Sequence, residues 1–92
     1  MIYISGKIRD ATENQLSLFG KAAEKYRGMG LEVFNPLEHP TGEPRDIFER
    51  DTRIICREVH LIVMLRGYSK SKGARAEKAL CEAIGIPVRY FQ

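Results

Sequence analysis

Val59-His-Leu-Ile-Val-Met-Leu65 is the longest apolar run in a chain of 92 residues, and only His60 interrupts it. A strand with one wet face alternates apolar and polar side chains. This stretch does not, so the expectation is a strand covered on both faces, as at the centre of a parallel sheet. Upstream, Asp46-x-x-Glu49 opens a predicted helix that runs to about Arg57, with Ile47, Phe48, Ile54 and Ile55 as its inner face. Downstream, Gly67–Gly73 is rich in glycine and serine. It leads into a helix whose predicted inner face is Ala76, Ala79, Leu80, Ala83 and Ile84, and which stops at Gly85. Pro87–Phe91 reads as a last strand. At the other end, Ile2–Ser5 is a short β-prone run closed by Gly6. Either Asp10-x-x-Glu13 or Thr12-x-x-Gln15 can cap the helix that follows, which carries Leu16, Phe19, Ala23 and Tyr26 at helical spacing and stops at Gly28 or Gly30. Leu31–Phe34 reads as a strand ended by Asn35-Pro36, and Leu37–Pro44 as an irregular loop.

Four strands and three helices therefore alternate, without repeats or linkers. Right-handed crossovers turn such a chain into one parallel sheet between helical layers. The predicted fold is a single α/β domain over residues 1–92, three-layered and flavodoxin- or Rossmann-like. Its four strands are expected in the order 2-1-3-4 with helices on both faces. Ligands of such sheets bind beyond the carboxyl ends of the strands at the switch point, here between strands 1 and 3. The loops to inspect are then Ser5–Asp10 and Arg66–Gly73.

Composition narrows the function classes. Hydrophobic residues make up 43% and charged residues 29%, as in globular chains. No run approaches the ~20 apolar residues of a membrane span, and the start MIYISGK lacks the pattern of a secretory signal, so no membrane partner is expected. Cys56 and Cys81 are far apart without a CxxC partner, and the two histidines have no metal-ligand spacing. Neither a disulfide framework nor a metal site is expected, and a reducing cytoplasm is the default compartment. The net charge of +3 suits an anionic small molecule and gives only weak support to nucleic acid as a partner. Basic residues gather at Lys7/Arg9 and at Arg66/Lys70/Lys72/Arg75/Lys78.

Several residues stand out as candidates for chemistry. Asp51 falls in the middle of the apolar stripe of the second helix, where a carboxylate needs a partner or a polar pocket. Glu77 lies one turn beyond Gly73, on the flank of the third helix's apolar stripe, where the helix N-terminus is expected to favour its ionised form. Ser69 and Ser71 can cap that helix or bind an anion, and Gly67 and Gly73 allow close approach of a ligand. Tyr3, with Lys7, Ile8 and Arg9 after Gly6, can place a phenol and two cations over a phosphate. The amide of Asn35 either ends a strand or lines the cleft.

The ordered set YISGKIRD, FNP, IFERDT and S-x-G-x-x-x-E at Ser71–Glu77 resembles the nucleoside 2-deoxyribosyltransferase superfamily. It looks closest to the 2′-deoxynucleoside 5′-monophosphate N-glycosidases and to short phage and bacterial members of unassigned function. The resemblance covers nearly the whole chain. It implies that Glu77 is the nucleophile, that Asp51 orients the sugar or assists the leaving base, and that Tyr3 is an active-site tyrosine. It further implies that Ser71 and Gly73 approach a 5′-phosphate and that Lys7, Ile8 and Arg9 line a nucleotide site. The family stretches Cys-Asp-Ala or Ala-Asp-Val before strand 3 are replaced here by Arg57-Glu58-Val59. Larger members also carry a fifth strand and a C-terminal segment. The sequence stops at Gln92, so a small open site is expected, one that favours hydrolysis or plain binding over base transfer. The implied activity is N-glycosidic cleavage of a nucleotide or nucleoside without a cofactor. Self-association is expected as well, since a core this small gains from an interface. The alternative is a non-catalytic nucleotide-binding or sensing module on the same fold.

Overall fold

The computed structural model describes residues 1–40 and 42–92. Thr41, within the loop predicted at Leu37–Pro44, lies outside the described residues. The elements run β1 (Ile2–Ser5), α1 (Glu13–Gly28), β2 (Val33–Phe34), α2 (Pro44–Glu58), β3 (Leu61–Leu65), α3 (Lys72–Ile84) and β4 (Val88–Phe91), with 3-10 turns at Pro36–Glu38 and Tyr68–Lys70. The sheet order is β2-β1-β3-β4 and every pairing is parallel. This is the predicted three-layer α/β architecture.

Strand alternation divides the core in two. Ile2 and Ile4 of β1, with Val63 and Leu65 of β3, face α1 and pack on Leu18, Phe19, Ala22, Ala23 and Tyr26. Tyr3, Phe34, Ile62 and Met64 face the opposite way, against Ile55 of α2 and Ala74 and Cys81 of α3. The central run is covered on both sides, as its unbroken hydrophobicity predicts, with Ile62, Val63 and Met64 fully buried.

The ends of the elements follow local chemistry. Thr12, not Asp10, caps α1: its hydroxyl accepts from Gln15 N at 3.1 Å, and Gln15 Oε1 accepts from Thr12 N at 2.9 Å. Helix α2 starts earlier than the expected Asp46-x-x-Glu49 signal, because Pro44 sits in its first turn, where a missing N–H costs nothing. Strand β2 is shorter than Leu31–Phe34, since Leu31 is exposed at the edge. Strand β3 begins only at Leu61, because Val59 closes the C-terminus of α2 instead.

Helix α3 buries a different face from the predicted one. Ala74, Glu77 and Cys81 point inward, with Leu80 half-buried, whereas Ala76, Ala79, Ala83 and Ile84 are exposed. An alanine stripe loses little by facing water, so the helix turns to bring Glu77 over the sheet. In α2, likewise, Ile55 and Asp51 are buried while Phe48 stays 40% exposed.

Candidate active site

At the carboxyl ends of β1 and β3 the chain must leave the sheet on both sides of the switch point. Gly6 makes the first exit possible. A Cβ there would stand 3.1 Å from Leu65 and 3.2 Å from Phe19, tighter than ordinary contact. The backbone drops onto these side chains and carries Lys7, Ile8, Arg9 and Asp10 across the sheet edge. The first turn of α3 begins at Ser71, whose Oγ accepts from Ala74 N at 3.1 Å. Between these segments and the N-terminal half of α2 lies a cleft of about 790 Å³, within the size range of small-molecule sites.

Its floor is formed by carboxylates and hydroxyls. Glu77 is 8% exposed and points back at β1. Tyr3 Oη donates to Glu77 Oε2 at 2.8 Å and Ser5 Oγ donates to Oε1 at 2.6 Å. Asp51, 5% exposed, reaches the same cleft from α2. The neighbouring Arg50 holds Asp51 Oδ1 through Nε at 2.9 Å and through its second terminal nitrogen, also at 2.9 Å. Arg50 is fixed in turn by donation to the His39 carbonyl at 2.7 Å and by lying over the Phe34 ring. Phe34 stacks on Tyr3 with centroids 5.5 Å apart and planes 8° from parallel, so the tyrosine is braced from behind.

Burial pushes the Glu77 carboxyl up to about 7, against the opposing hydrogen bonds from Ser5 and Tyr3, and nearby Asp51 adds to the rise. This corrects the expectation of a carboxylate ionised by the helix dipole. Glu77 lies beyond the first turn, where the dipole fades, and desolvation wins. The Tyr3 phenol is raised far above its usual range, first by burial and then by Glu77 and Asp51, so it acts as a donor.

The walls differ in character. Lys7 and Arg9 from the β1 loop, Arg45 from α2, and Lys70 and Lys72 at the start of α3 line the cleft, and none of them is ion-paired among the described residues. Ile8, Pro36, Ile47 and Phe48 supply apolar surface. The cleft thus joins a cationic rim, an apolar wall and a floor with two acids. Among the described residues no cluster of His, Cys, Asp and Glu fits a metal ion.

Of the residues predicted from sequence, Tyr3, Gly6, Lys7, Ile8, Arg9, Asp51, Ser71, Gly73 and Glu77 are brought together here. Asn35, Gly67 and Ser69 are not. Asn35 is buried, and its Oδ1 accepts from Leu37 N at 3.1 Å to start a 3-10 turn. Gly67 has φ +91°, and a Cβ there would sit 2.8 Å from Gln15 Nε2, so it serves the turn. Ser69 lies exposed in the turn Tyr68–Lys70. Sequence reasoning overlooked Ser5, although strand alternation puts it on the same face as Tyr3. It also overlooked Arg45, Phe48, Lys70 and Lys72 as lining residues.

Residues 1–90 match the family described as Domain of unknown function (DUF4406). The chain belongs to the DUF4406 family. No curated protein and no solved structure matches it.

Proposed function

We propose that this chain cleaves the N-glycosidic bond of a (deoxy)nucleoside 5′-monophosphate or nucleoside, with hydrolysis favoured over base transfer. The observation that carries the reading is Glu77, a buried carboxyl at the cleft floor, gripped by two hydroxyls and accompanied by Asp51. The motif resemblance to the deoxyribosyltransferase superfamily assigns the same two acids. Glu77 attacks C1′, the C1′–N bond breaks, and its electron pair leaves with the base, which takes up a proton. Water then attacks C1′ of the glycosyl ester, releasing the sugar and restoring the carboxylate. Asp51 steadies the sugar, and Arg50 fixes its orientation. Lys7, Arg9, Lys70 and Lys72 suit a 5′-phosphate. The two unpaired cysteines suit the cytoplasm. Self-association belongs to the same reading, because so small a core gains from an interface; sedimentation equilibrium would then give a mass above 10.5 kDa.

The test is a panel of ribo- and deoxyribonucleotides and nucleosides, with free base followed by chromatography. Release of base that Glu77→Ala reduces at least about 10³-fold, with the fold retained, is the expected result. Release unaffected by that change would remove Glu77 from the chemistry. One observation favours a second reading, a non-catalytic nucleotide-binding or sensing module: both oxygens of Glu77 and Oδ1 of Asp51 already have partners within the fold. Thermal stabilisation by a nucleotide without any base released would favour that module.

A further inference from the structure

Ser5 is 1% exposed, occupies the last position of the central strand β1, and pairs in register with Met64 of β3. Its main chain cannot move without opening the sheet. Its hydroxyl lies 2.6 Å from Glu77 Oε1, within the range of a charge-assisted O–H···O bond. Tyr3, two residues earlier on the same face, takes the other oxygen. Alternate residues of a strand stand about 7 Å apart. The long tyrosine and the short serine, on one face of one strand, meet opposite oxygens of a single carboxyl group. The clamp thus fixes both oxygens from one rigid element, while each oxygen keeps a second lone pair for other work.

We propose that Ser5 is a positioning residue for Glu77, setting the orientation of its carboxylate at the cleft floor. This role rests on the reading of Glu77 as the reacting carboxylate. The groups acting on Glu77 are Tyr3 and Ser5 from β1 and Asp51 from α2; Cys81, one turn further along α3, is a neutral thiol that Glu77 itself pushes up. From β3 only Ile62 and Met64 face that side, and the cleft cations Lys7, Arg9, Lys70 and Lys72 stand around the opening. Burial and Asp51 disfavour the charge, and Ser5 opposes them more strongly than Tyr3 does.

Two measurements on the intact chain test this. The first is a carbon-13 NMR titration of the Glu77 carboxyl, assigned by its absence in Glu77→Gln. The second is the pH profile of base release. In Ser5→Ala the NMR midpoint is expected to rise by about one pH unit, and the acid limb of the rate profile to move with it. Ser5→Thr keeps the hydroxyl and is expected to keep the midpoint of the unaltered protein. An unchanged midpoint in Ser5→Ala, or an equal shift in both variants, overturns the proposal. A shift in Ser5→Ala alone, in a protein that releases no base from any nucleotide, upholds the role of Ser5 and removes the glycosidase reading.

Discussion

Glu77 is subject to two opposing requirements: the core disfavours its charge, whereas a nucleophile needs it. Its folded value of about 7 lies above the 4.5 of a free glutamate, so the folded state holds the proton more tightly than the unfolded state does. The resulting stability is fully present below about pH 4.5 and is lost as pH rises to about 7. Glu77→Gln should therefore be more stable than the unaltered protein at pH 8, by up to about 3 kcal/mol, and no more stable at pH 4. Urea unfolding at the two pH values measures the difference. The same residue predicts that kcat/KM for base release rises with pH through a midpoint near 7. Asp51 and Glu77 were legible in sequence because an acid on or beside an apolar stripe calls for an explanation. Asn35, Gly67 and Ser69 lie outside the cleft, Asn35 taking the strand-ending alternative: a turn and a binding loop ask for the same residue types, and only the cleft's position tells them apart.

Among the elements, helices were read well where capping decides and poorly where rotation decides. The Thr12 box fixes the start of α1, and Thr12 itself does not line the cleft. Thr12→Ala should cost about 1 kcal/mol in denaturant unfolding and leave base release unchanged. Rotation of α3 was not legible: Ala76, Ala79, Ala83 and Ile84 outnumber the apolar residues on the face that is buried. What orients the helix is a polar contact, Glu77 with Tyr3 and Ser5, that no hydrophobic pattern encodes. In α2, the Arg50–Asp51 pair joins adjacent residues, and such a pair is invisible to periodicity. Arg50→Ala should raise KM or lower kcat through a loosened Asp51, read in the kinetics of base release.

For the molecule as a whole, strand order was the most legible property, because a strand apolar on both faces has to sit centrally and crossover handedness leaves few arrangements. Charge was legible only in part. The net value of +3 is modest, yet the fold gathers Lys7, Arg9, Arg45, Lys70 and Lys72 from three segments around one opening. Such a local cluster suits one phosphate better than a polyanion. Nucleotide affinity should fall only a few-fold between 50 and 200 mM salt, as calorimetry would report, whereas a nucleic-acid binder with 6–10 phosphate contacts would lose about 10³-fold or more.

The hydroxyl of Tyr3 and the carboxyl of Glu77 are 74 positions apart along the chain. During synthesis the first waits while almost every other residue is added, so a growing chain carries no working centre until its third helix has emerged. A protease cut between the two ends would leave this contact to non-covalent association of the pieces, so dilution of a nicked chain should break it without either group being touched.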